Sequence, residues 1–208
     1  MKRVFVFSFA VLGTCSSLYA QVVSADRTFP PADSRWAAPE VLTTGHGITF
    51  TSMEITDFQG APLIPSDGMG GVLSPFTCSL KTKASNNPLY HESGMSGQMS
   101  LHRTSGPTGQ EDYDFTFELF DPSNSNPVQF GLVPGGAKTG HISLIKRTTG
   151  DYLVSSTLAL DLQYTEDSGR TWSPLTSTAN FTLQPVPEPS SLCALTLAGL
   201  IALRRKRK

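Results

Sequence analysis

The densest run of chemically useful side chains in this 208-residue chain is Thr165-Glu166-Asp167-Ser168-Gly169-Arg170-Thr171-Trp172. A carboxylate at Asp167 can accept bonds from turn amides, Gly169 can take positive φ, and Trp172 can pack beneath the resulting hairpin. Asp167, Gly169, Thr171 and Trp172 therefore read as a structural turn rather than a reaction centre. The histidines are His46, His91, His102 and His141. None forms a short-spaced metal pair, so each reads as a surface or strand residue. Glu111, Asp112, Asp114 and Asp121 are close in sequence, yet Asp112 and Asp114 alternate with apolar residues and belong to a solvated strand face. Calcium is the one cation such a face could attract, and no loop has the oxygen spacing of a calcium site. No metal ligand and no cofactor is assigned. No nucleophile elbow or phosphate loop occurs, and no carboxylate pair for glycoside hydrolysis stands out among seventeen Asp and Glu. No catalytic residue is assigned, and the chain reads as non-enzymatic.

The elements that must hold these residues have period two. Tyr113, Phe115, Phe117 and Leu119 alternate with Asp112, Asp114, Thr116 and Glu118, the pattern of a half-buried antiparallel strand. Tyr152, Val154, Leu158, Leu160, Leu162 and Tyr164 share a face of a second strand, with Ser156 as the gap. Ile48 and Phe50 lie on one phase and Met53 and Ile55 on the other, which predicts a bulge near Thr51-Ser52. Shorter strands are expected over Val72–Lys83, Gln98–Arg103, His141–Thr148 and Ala179–Gln184. Segments 60–71, 84–97, 104–110 and 121–136 concentrate Gly, Pro, Ser and Asn and read as turns and loops. No amphipathic helix of ten or more residues stands out. The expected fold is all-β, a single antiparallel β-sandwich of about seven strands over residues 41–184. Residues 21–40 read as a Pro-rich arm, with Trp36 docking on the domain.

Both ends read as addresses. Lys2 and Arg3 precede the apolar run Val4–Gly13, the form of a secretory signal peptide over residues 1–20, with cleavage after Ala20. Lipoprotein processing at Cys15 is disfavoured by Thr14 before it. At the other end, Val186-Pro187-Glu188-Pro189 is followed by an uncharged apolar stretch, Ser190–Leu203, and then by Arg204, Arg205, Lys206, Arg207 and Lys208. Fourteen helical residues span about 21 Å. A bilayer core needs about 30 Å, so this is a short transmembrane helix that inserts by thinning the membrane or by letting its basic flank snorkel. The five basic residues hold the C-terminus in the cytoplasm and leave the upstream chain outside. An amphipathic core helix would need a polar face, which the stretch lacks.

Removing both ends leaves residues 21–189. Nine Lys and Arg then face seventeen Asp and Glu, a net charge of −8 hidden by the near-neutral whole chain. An acidic body argues against nucleic acid as a partner. Cys15 and Cys193 fall in the terminal segments, so Cys78 stands alone and no internal disulfide is possible. Cys78 reads as a small buried hydrophobe.

Two resemblances sharpen this reading. Val186-Pro187-Glu188-Pro189, the apolar span and the cluster Arg204–Lys208 resemble the PEP-CTERM sorting signal of Gram-negative bacteria, a type of tail also described as an ice-binding protein C-terminal segment. The resemblance implies an exosortase as processing enzyme, cleavage near the Pro-Glu-Pro triplet, and release to the cell surface or extracellular matrix. With the signal peptide, it implies the export translocon and signal peptidase as earlier partners and a transient inner-membrane stage. It covers residues 185–208 and speaks to address, not activity. Thr165–Trp172 resembles the Asp-box found in sialidases and many other β-proteins, where it is structural and recurs once per blade; this chain has one copy. Residues from His141 to the tail are also similar to the C-terminal part of many exported PEP-CTERM proteins, which implies a shared scaffold. The expected function is that of an exported surface or matrix protein, with matrix polysaccharide as a candidate partner. A secreted carbohydrate-binding or carbohydrate-active protein is the alternative. Ice binding is disfavoured because Thr49, Thr51 and the other threonines form no regular array.

Overall fold

A computed structural model describes residues 21–60, 64, 74–85, 87–104, 107–123 and 127–186. Thirteen strands follow in chain order: β1 (Val22–Ser24), β2 (Ser34–Ala38), β3 (Leu42–Thr43), β4 (Thr49–Gln59), β5 (Ser74–Ala84), β6 (Asn87–Thr104), β7 (Gln110–Pro122), β8 (Gln129–Leu132), β9 (Lys138–Lys146), β10 (Tyr152–Leu160), β11 (Leu162–Thr165), β12 (Ser173–Pro174) and β13 (Ala179–Pro185). No helix occurs among the described residues. The expected signal peptide, most of the sorting motif and the short membrane helix lie outside them.

The all-β expectation holds, but the β-sandwich does not. Eight strands, β10-β13-β2-β4-β5-β6-β7-β9, form a ring that closes where β9 pairs antiparallel with β10, from Tyr152↔Lys146 to Leu160↔Lys138. Alternating apolar and polar residues are what either architecture needs, since each buries one sheet face. The pairing of β9 with both β7 and β10 leaves no free edge there, and the sheet is a barrel.

The arm reading of residues 21–40 is replaced by something more integral. β2 is a barrel stave between β13 and β4, and its Trp36 is fully buried at the centre of the lumen. The Trp36 ring stacks on Phe115 with centroids 5.7 Å apart and meets Phe29, Phe58 and Phe117 edge-on. An eight-stranded barrel is just wide enough to be filled by side chains, and here aromatic rings fill it.

Two glycines make room for those rings. A Cβ on Gly140 would lie 2.2 Å from Phe115 Cζ, and one on Gly97 would lie 2.5 Å from Phe76 Cζ. Each ring lies over the bare backbone of a neighbouring strand. Segment 84–97 was expected as loop because Ser, Asn and Gly crowd it. Most of it is the start of β6, paired with β5 from Ala84↔Asn87 onward and continuing to Ser74↔Met99.

The bulge anticipated near Thr51-Ser52 is present. Ser52 has φ 55°, and the β4–β5 register shifts between Thr51 and Glu54. Of the further slips, the one between Gln98 and Met99, opposite Leu119 and Phe117, changes which residues face inward. It turns Leu119 outward, 48% exposed, and brings Phe120 into the core instead. The strand expected to run from Tyr152 to Tyr164 breaks at Asp161 into β10 and β11. At Asp161 the main chain bonds the Ala137 carbonyl at 2.8 Å and the Val133 amide at 2.9 Å, and its carboxylate accepts from the Ala137 amide at 2.7 Å and the Thr178 hydroxyl at 2.6 Å, so the chain passes from β9 to β8 as its partner. β11 then joins β8 and β12 in a small separate sheet at one end of the barrel.

The other end is stopped by Arg27. Its guanidinium forks onto Glu111 at 3.0 and 2.8 Å, donates to Tyr113 Oη at 3.0 Å and to the Ile64 carbonyl at 3.0 Å, and lies 5.1 Å from the Tyr152 ring centroid. Arg27 has φ 66°, a left-handed conformation costing about 1 kcal/mol for a non-glycine residue, which this set of bonds offsets.

Candidate functional site

The Asp-box segment forms the turn between β11 and β12. Asp167 Oδ1 accepts from Thr165 Oγ1 at 2.7 Å and the Thr171 amide at 2.9 Å, while Oδ2 accepts from Thr171 Oγ1 at 2.5 Å. These bonds, the Thr171 hydroxyl first, hold the Asp167 carboxyl well below the usual carboxylate range. Ser168 and Gly169 both have positive φ. The half-buried Trp172 ring lies over Gly131 of β8 and Gly169, 3.4 and 3.5 Å from where Cβ atoms would be. Every one of these groups is engaged in shaping the turn.

The turn also forms one wall of a cleft of about 520 Å³, faced by His46 and Ile48 from the β3–β4 hairpin. Trp172, Tyr164 and Glu166 line it as well. Tyr164 donates to Glu166 Oε1 at 2.7 Å; burial first, and then this carboxylate, push the phenol above its ordinary value. The arrangement offers an aromatic surface beside an exposed carboxylate and an exposed imidazole. It could bind a small polar ligand with an apolar face.

A second concavity, of about 640 Å³, lies on the outer wall over β7, β9, β10 and β13. Strand pairing brings together residues that the sequence keeps far apart. His102, Asp114 and His141 are successive cross-strand neighbours, and Thr157 and Thr182 continue the row. His141 Nδ1 lies 2.9 Å from Asp114 Oδ1, and its Nε2 lies 3.8 Å from Asp112 Oδ1. The Gln110 amide, followed by Ser143, keeps the Asp112 carboxyl below its ordinary range. Asp112 is buried on this wall rather than solvated, because Gln110 and His141 cover it. Among the described residues no group of three or more His, Cys, Asp or Glu is placed to hold a metal. No signal in the sequence could have found this row, since it depends on register between strands 27 residues apart.

The third feature is the junction with the tail. β13 pairs with β10 through Ala179–Thr182 and with β2 through Thr182–Pro185, so it is one of the staves that complete the ring. The chain does not leave the wall there. The Val186 amide donates to the Asp33 carbonyl at 2.9 Å, so the first residue of Val-Pro-Glu-Pro is still bonded to the barrel. A family profile for a protein-sorting motif matches residues 185–208, beginning at the last residue of β13. The chain carries a PEP-CTERM sorting motif. Val186 is exposed at the barrel rim, and Pro187, Glu188, Pro189 and Arg204–Lys208 lie outside the described residues. The PEP-CTERM motif marks an exported protein that is sorted by an exosortase and anchored in a membrane on its way toward the cell surface. No curated protein and no solved structure matches the chain.

Proposed function

We propose that this is a non-enzymatic barrel protein of a Gram-negative bacterium, held at the inner membrane by its tail, cut from it by an exosortase, and released to the cell surface or extracellular matrix. The observation that carries the reading is the junction: the PEP-CTERM motif begins on β13, a stave of a self-contained barrel. The barrel is the cargo, and the tail is its address. Its lumen is filled by Trp36 and the phenylalanines around it, so any ligand must bind outside. Mass spectrometry of the protein recovered from each cell fraction tests this. A chain ending near Pro189 in the outer or extracellular fraction is expected. An intact tail found only in the inner membrane would refute the release.

A second reading, binding of matrix polysaccharide, is favoured by the cleft that sets Trp172 and Tyr164 beside Glu166 and His46. Sugars present both an apolar ring face and hydroxyls, and such a cleft addresses both. A glycan array combined with a hydrolysis screen decides between binding, turnover and neither.

A further inference from the structure

The tail junction constrains where the barrel sits while it is anchored. Only Pro187, Glu188 and Pro189 separate Val186, bonded to Asp33, from the apolar stretch that starts at Ser190. The four Cα–Cα steps from Val186 to Ser190 reach at most about 14 Å. A barrel joined to its anchor by so short a tether cannot tumble freely; the rim around Val186 stays against the bilayer surface.

That rim has its own chemistry. β1 pairs with the start of β10, on the same edge that β13 occupies further along, so the tail leaves the barrel beside β1. On the outer wall at this place Val23, Leu153 and Ile145 are cross-strand neighbours. Val23 and Ile145 are each 41% exposed, and Leu153 is half-buried. The next residues along β9 and its turn are the exposed Lys146 and Arg147; Arg147 pairs with Asp151 at 3.2 Å. Tyr152 at the same rim packs inward, against the core and beside Arg27, and does not belong to this face. Apolar side chains flanked by basic residues are what the headgroup region accommodates. The segment from Leu144 to Leu153 carries two basic residues against one acidic residue, in a body whose net charge is −8. The exposed Asp26 and Asp33 lie at the same end, so facing an anionic surface it is the Ile145–Arg147 side of the rim that is least repelled.

We propose that the rim is a membrane-seating surface: Val23, Leu153 and Ile145 enter the headgroup region of an anionic bilayer, and Lys146 and Arg147 meet lipid phosphates. The proposal rests on the tail serving as a membrane anchor. Three apolar and two basic side chains are a weak second signal beside that anchor. They orient a tethered barrel and release it once the tail is cut. Seating also points the opposite end, with the Trp172 cleft, away from the membrane.

The test uses the full chain reconstituted through its tail into phosphatidylcholine–phosphatidylglycerol vesicles whose lipids are brominated near the headgroup. Ile145→Trp puts a reporter at the rim, and Val41→Trp puts one at an exposed site, 62% accessible, toward the opposite end. Flotation first confirms anchoring. Quenching above that of the parent chain is expected to be about twofold or more greater for Ile145→Trp than for Val41→Trp. It is expected to fall when Lys146→Glu and Arg147→Glu are added, or when phosphatidylglycerol is omitted. A floating chain with equal quenching at both sites overturns the seating and leaves the anchor standing. Quenching insensitive to both charge changes overturns the phosphate contacts. A chain that fails to float overturns the anchoring reading, and the seating with it.

Discussion

Replacing Gly140 by alanine tests whether ring-over-glycine packing closes this barrel. Gly140 pairs with Phe115 on one side and Leu158 on the other. The new methyl would lie 2.2 and 2.4 Å from Phe115 Cζ and Cε1, and 2.5 Å from the Thr157 carbonyl oxygen. Carbon atoms pack at about 3.5–4.0 Å, so the ring would have to retreat by more than about 1 Å. It is blocked by Trp36, stacked at 5.7 Å, and by Phe29 and Phe117 at 5.6 and 5.8 Å. The carbonyl is fixed by the strand ladder. Overpacking of this kind costs about 1–3 kcal/mol. A glycine-to-alanine change without a clash would instead stabilise by about 0.4–1 kcal/mol through the unfolded chain. The sign of the effect therefore decides the matter. Urea denaturation should show Gly140→Ala destabilised by about 2 kcal/mol at constant m, a fall of about 4–8 °C in Tm for a domain of this size. Gly45→Ala, where a Cβ meets nothing within 4 Å, should change stability by no more than about 0.5 kcal/mol. Phe115→Leu should partly rescue Gly140→Ala, with a favourable coupling of about 1 kcal/mol; the Thr157 carbonyl clash remains and limits it. A Gly140→Ala protein as stable as its parent, or a strictly additive double variant, would refute the reasoning.

Further predictions concern single side chains. The Arg27 guanidinium, and less so Tyr113, hold the Glu111 carboxyl at about 2 against its ordinary 4.5. The folded value is depressed, so the stabilisation is complete above about pH 4.5 and is lost as pH falls through about 2. Discounted for solvent screening of a side chain 26% exposed, it amounts to about 1–2 kcal/mol. Glu111→Gln should flatten the stability–pH curve over that window in urea titrations, and an unchanged acid limb would contradict the Arg27 stopper. Burial pushes the Cys78 thiol up to about 12, so native protein should be alkylated about a thousandfold more slowly than urea-unfolded protein at mildly alkaline pH. Equal rates would place Cys78 at the surface. Asp167→Ala should speed hydrogen exchange at the Thr171 amide, which its carboxylate accepts, while amides of β9 stay as they were. Unchanged exchange at Thr171 would show that Gly169 and Trp172 alone hold the turn.

Much of the local structure was legible. The reversal of phase between Phe50 and Met53 announced a bulge, because a strand can change its inward face only by inserting a residue. The Asp167–Trp172 turn was legible because its bonds join residues within a few positions of one another. Leu119 reads as an inward residue and faces out, with Phe120 buried in its place, for the converse reason. Their phase is set by a slip against Gln98 and Met99 of the neighbouring strand, and nothing local reports it. Gly97 reads as a loop residue until Phe76 is seen to need the space where its Cβ would be.

The division follows from the range of the forces involved. The all-β class, the solitary Cys78, the acidic body and the PEP-CTERM tail depend on composition and short-range order, and the chain written out is enough to read them. Whether the sheet would stack on another or close on itself was decided by the pairing of β9 with β10 and of β13 with β2, where inward-facing residues look alike in both folds. The row His102–Asp114–His141 exists only through that register, and so does the rim of Val23, Leu153 and Ile145 beside the departing tail. Cross-strand neighbours lie about 5 Å apart in space whatever their separation in the chain, and tertiary structure alone assigns them.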